Sequence, residues 1–146
     1  MPYTVATDIE SEFKSITFGS DTAVTLTQVN EFIAQEEAAI DAEVGAVYVV
    51  PVTQGPQAVS LMKLMSQLMV KARVLDKLYV KTGDQKADQG VTSVDLRKRV
   101  ADMLKRIVKK EVPLLGASLI STVGGVKSYT SDNNKEHIFQ RDVDQW

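Results

Sequence analysis

The sequence contains no cysteine, a single histidine and a single tryptophan. The absence of cysteine removes disulfides, thiolate nucleophiles and cysteine-ligated metals in one step. It fits a reducing compartment. With only His137 present, a Ser–His arrangement has one possible centre, and a site with two histidine ligands cannot form within one chain. Long apolar runs are also missing, since a membrane span needs about 20 consecutive apolar residues. The opening Met1-Pro2-Tyr3-Thr4 lacks the basic and apolar regions of a secretory signal. No cofactor and no membrane contact is expected.

What is present is an ordinary amount of everything else. The chain has 146 residues, 44% of them hydrophobic and 25% charged. A domain of about 100–150 residues buries enough surface to hold together without staples. The formal net charge is only −2, but the signs are sorted. Residues 1–60 carry nine acids and one base, residues 61–112 thirteen bases and six acids, and residues 113–146 three bases and four acids. Such a chain either pairs its halves internally or docks head to tail with a copy of itself.

Periodicity predicts a mainly α fold: a four-helix core over residues 1–116, with a short first helix, a long central third helix and extended connectors. A long C-terminal arm over 117–146 follows. The first helix is expected to open at Thr7, with Glu10 completing a capping box. The second opens at Thr25 or Thr27 and places Val29, Phe32, Ile33, Ile40 and Val44 on one stripe, with Gly45 at its end. Residues 47–52, β-branched and containing Pro51, read as an extended connector. Pro56 suits the first position of the third helix. That helix is apolar on most sides to about Val80, which makes it central or places it against a second subunit. Met62, Met65 and Met69 read as core filler. Residues 82–92 are polar and read as a loop. The fourth helix opens at Thr92 or Ser93, with an apolar stripe from Leu96 to Val108, and Pro113 is expected to end it.

No catalytic constellation emerges. Gly124-Gly125-Val126-Lys127-Ser128 has the composition of a phosphate loop without its spacing, because Val126 separates glycine from lysine. Glu36, Glu37 and Asp41 read as a solvated acidic face on the second helix. In its functional version that face meets Arg97, Arg99, Lys105 or Arg106 on the fourth helix of a neighbour. The fourth helix carries seven bases over 97–110, enough to contact phosphates, but it has no aromatic, Asn or Gln to read bases. His137 reads as an exposed residue beside Glu136. The arm holds Tyr129, Phe139, Arg141 and Trp146, and large apolar groups on an arm call for a docking surface.

Several stretches, taken in order, resemble the head–tail connector proteins of tailed bacteriophages, in particular the Mu-like group. These are Tyr3-Thr4-Val5-Ala6-Thr7-Asp8-Ile9, the Ala-rich block from Thr27 to Asp41, the Tyr48-Val49-Val50-Pro51 connector before a long apolar helix, and His137-Ile138-Phe139-Gln140-Arg141-Asp142. The resemblance implies a helical virion protein without enzymatic activity, made in the host cytoplasm and located in the neck. It implies a homo-oligomeric ring, commonly twelve-fold, between the portal protein and a tail or stopper protein, with DNA passing through the lumen without sequence-specific binding. The arm residues Tyr129, Phe139, Arg141 and Trp146 would then dock on the portal or a neighbour. The alternative is a small helical nucleic-acid-binding or regulatory module using the fourth helix.

Overall fold

The computed structural model describes residues 2–13, 16–82 and 93–120, with only the backbone of 79–82. Within them the protein is mainly helical: α1 is Ala6–Ser11, α2 Leu26–Val44, α3 Pro56–Thr82 and α4 Ser93–Val108. At 27 residues, α3 is about 40 Å long. It is the central helix, in contact with α1, α2 and α4.

The core is arranged in two blocks along α3. Near its start, Met62 and Met65 pack with Ile40 and Val44 of α2, Val100 and Ile107 of α4, and Tyr48, Val52 and Leu114. Farther along, Val70 and Val74 pack with Val29 and Ile33 of α2, Ile9 of α1, and Phe18 and Val24. The early part of α2 thus meets the late part of α3, so the two helices run antiparallel. Met62 and Met65 are fully buried, as core filler should be, while Met69 is half-buried and packs against the same block.

Helix ends follow the sequence in some places and depart from it in others. Thr25 caps α2: its Oγ1 accepts from the Gln28 amide at 3.4 Å, and the Gln28 side chain accepts from the Thr25 amide at 3.3 Å. By contrast α1 begins before Thr7, with Val5 as the flanking residue and Asp8 Oδ2 accepting the Val5 amide at 3.1 Å. The cause lies just upstream, where Thr4 is tied to α2 and α3 and fixes the point at which the chain enters the helix.

Pro113 does not end α4. The helix stops at Val108 through a closing motif centred on Lys110, whose φ is +62°. The Lys110 amide donates to Ile107 O at 2.9 Å and the Glu111 amide to Arg106 O at 2.9 Å, the pairing that usually recruits glycine to the left-handed position.

The connector between α2 and α3 is extended, as expected, with a cis Val50–Pro51 peptide. The segment after α4 lies along it. Tyr48 and Leu119 form an antiparallel bridge, the Val49 amide donates to Ser118 O at 2.8 Å, and the Ile120 amide donates to Val47 O at 2.9 Å. Tyr48 Oη also accepts from the Leu114 amide. Residues 118–120 therefore lie against the connector between α2 and α3. No helix among the described residues is long and apolar enough to cross a membrane.

Candidate assembly surfaces

Glu36 and Glu37 of α2 are not part of a solvated face, and Asp41 is half-buried. Glu36 and Glu37 are 6% and 8% exposed. Arg73 of α3 reaches Glu36 Oε1 at 2.5 Å through Nε, bonds Gln35 with its terminal nitrogen, and lies over the Phe32 ring at 5.3 Å. Glu37 Oε1 accepts the Thr4 amide at 2.8 Å and the Ser66 hydroxyl at 3.1 Å. Asp41 Oδ1 accepts the Tyr3 hydroxyl at 2.7 Å, and Tyr3 Oη in turn accepts the Val52 amide at 2.8 Å. Burial, then the hydrogen bond to Asp41, pushes the Tyr3 hydroxyl well above its ordinary titration range. Burial of these carboxylates is tolerable because donors from α3 and from the segment before α1 converge on them.

The cations of α4 have different surroundings. Arg97 pairs with Asp76 of α3. Arg106 lies 3.9 Å from Glu111. Arg99 and Lys105 are exposed. Among the described residues none of these cations pairs with Glu36, Glu37 or Asp41. The two sets singled out in the sequence are thus kept apart within one chain. Of the acidic set, Glu36 is matched by a cation and Glu37 and Asp41 only by uncharged donors, while Lys98, Arg99, Lys105, Lys109 and Lys110 face solvent. Tyr129, His137, Phe139, Arg141 and Trp146, the glycine-rich run at 124–128 and residues 83–92 of the expected loop lie outside the described residues, whereas Thr82, expected to open that loop, is the last residue of α3.

Two surface features have the character of contact sites. The first is an open groove of about 550 Å³ between residues 2–6 and α2, with Ile33, Ala34, Ala38 and Pro51 as apolar wall and Glu37 and Asp41 as acidic floor. The second is a set of exposed apolar side chains on the α2–α3 connector and the last described residues: Val49, Leu115, Leu119 and Ile120, each 42–60% exposed. Among the described residues no group of three or more His, Cys, Asp or Glu side chains is placed to hold a metal ion.

No family model, curated protein or solved structure matches the chain. The surfaces must be read on their own chemistry.

The partners of the acidic floor are not marked in the sequence. Tyr3 and Thr4 stand there only as part of a motif, and Ser66 only as a polar interruption of an apolar helix. Ser66 is the informative one: a fully buried hydroxyl in the middle of such a helix needs a polar partner, and an acidic neighbouring helix supplies it.

Proposed function

We propose that this protein is a structural subunit of a ring that joins the portal of a DNA-filled phage head to the tail and extends the DNA channel. The observation that carries this reading is the exposed apolar set of Val49, Leu115, Leu119 and Ile120 on the connector and the last described residues. Large apolar side chains left exposed close together in the chain suit a protein contact, and three of the four immediately precede the segment that contributes Tyr129, Phe139, Arg141 and Trp146. The element order also supports it: a short helix, an Ala-rich helix, a connector with Tyr48 and Pro51, and a long helix, as the sequence resemblance implies. The roles proposed are contact roles only, with itself, the portal and a tail or stopper protein as partners.

A second reading, a helical nucleic-acid-binding module, is favoured by the exposed Lys98, Arg99, Lys105, Lys109 and Lys110 on and beyond α4. Native mass spectrometry across a concentration series, with and without short duplex DNA, separates the two. A closed ring of about a dozen copies, indifferent to DNA, supports the connector. Low-order protein–DNA complexes that dissolve in modest salt support the nucleic-acid module. A DNA-indifferent monomer sinks the second reading and confines ring formation to the portal surface, which co-sedimentation with portal-bearing heads then tests.

A further inference from the structure

The groove against α2 holds acidic charge without a cation. Glu37 is 8% exposed, and neither Glu37 nor Asp41 forms an ion pair among the described residues. Glu36, one position earlier, is matched by Arg73. A desolvated carboxylate gains most from a hydrogen-bonded opposite charge. Beside the two carboxylates, Ala34 and Ala38 leave space in a groove of about 550 Å³. The site asks for a cation carried next to a large apolar side chain.

That combination exists in the chain itself, at Phe139 and Arg141. We propose that this groove receives residues 137–142 of a second copy, with the Arg141 guanidinium on Asp41 and Glu37 and the Phe139 ring over Ala34 and Ala38. The proposal rests on the ring reading above and names one of its subunit contacts. The spacing is compatible. Residues two apart in an extended chain point the same way at about 6.5 Å, and positions 34, 38, 37 and 41 present one face of α2 with neighbours about 5–6 Å apart. A planar guanidinium also suits two carboxylates better than an ammonium does. The direction of the body's last described residues favours a second copy. Ser118 lies beside Val49 and Ile120 beside Val47, so the chain runs away from Pro51, the end of the connector that lines the groove.

The cysteine-free sequence allows a direct test in the full-length protein. Two single variants, Asn30→Cys and His137→Cys, are mixed and treated with a short bismaleimide, and the linked peptides are mapped by mass spectrometry. Asn30 lines the groove, and position 137 shares a face with 139 and 141 in an extended segment. The expected result is a 30–137 link between copies, well above the yield obtained when exposed Gln57→Cys replaces Asn30→Cys. Adding Arg141→Glu to the His137→Cys chain should lower that yield about tenfold. Equal yields at 30 and 57, an unchanged yield with Arg141→Glu, or, in a chain carrying both Asn30→Cys and His137→Cys, a 30–137 link found only within one monomer each overturn the proposal. Closed rings without the link leave the ring reading standing and reject this contact. The link in open dimers or chains, without closed rings, keeps this contact and rejects the ring.

Discussion

Gly55 and Gly116 pass back to back. A methyl group on Gly116 would lie 2.6 Å from Gly55 Cα, and one on Gly55 would lie 2.2 Å from Leu115 O. Both glycines have positive φ, +78° and +86°. Neither the backbone conformation nor the space admits a side chain. Gly116→Ala should therefore cost about 2 kcal/mol or more, read as a lower urea midpoint at unchanged slope. Gly19→Ala serves as the contrast, since its methyl would meet only Thr22 Cγ2 at 3.7 Å; that change should stay within about 0.5 kcal/mol.

Lys110 occupies a position that favours glycine, at φ +62°. A lysine there carries a left-handed backbone penalty of about 1–2 kcal/mol, against the 0.5–1 kcal/mol of extra chain entropy that glycine loses on folding. Lys110→Gly should raise stability by roughly 0.5–1 kcal/mol. Thermal unfolding checks this, and an unchanged or lower midpoint would contradict the closing motif described for α4.

The two arginine–carboxylate pairs on α3 should differ sharply in worth. Arg73→Ala strands Glu36, which is 6% exposed, and also removes a guanidinium from the Phe32 face. A loss of about 1–3 kcal/mol is expected, discounted from the value for a fully buried pair because Arg73 is one-third exposed. Arg97→Ala breaks a pair whose side chains are 43% and 40% exposed, and should cost under about 1 kcal/mol. Denaturant titration of the two variants side by side reads the difference.

Asp8 carries a pH dependence of predictable sign. The hydrogen bond from the Lys63 ammonium, at 2.9 Å, and then the one from the Val5 amide hold its carboxyl below the usual carboxylate range. The unfolded chain thus takes up this proton more readily than the folded one. The stabilisation is present above about pH 4 and is lost as pH falls through the lowered folded value. Asp8→Asn should lower the thermal midpoint at neutral pH, and the gap from the parent protein should close as the solution is acidified. A gap that widens in acid would reject the assignment.

Legibility in the sequence followed the range of the forces involved. The capping pair Thr25–Gln28 and the stripe through Val29, Ile33, Ile40 and Val44 are local, and α2 was readable to within a residue or two. Its carboxylates were not. Local pattern places a charge on the solvent side, whereas Glu36 and Glu37 are satisfied by Arg73, Ser66 and Thr4, residues 29 to 37 positions away. The end of α4 was misread for a related reason. Pro113 is a conspicuous breaker, but a lysine that adopts the left-handed conformation carries no compositional mark. The groove combines both difficulties, because its acidic floor comes from α2 and its other wall from residues 2–6, a segment with no periodicity of its own.

The attachment of residues 118–120 to the α2–α3 connector has a mechanical consequence. A pull on the chain beyond Ile120 meets the hydrogen bonds to Val47 and Val49 first and the interlocked Gly55 and Gly116 next. Load therefore enters the body at the junction of its two longest helices and is shared between them, while the end of α4 is spared from unwinding. The segment behaves as a strain relief, the clamp that keeps a tug on a cable from reaching the solder joint.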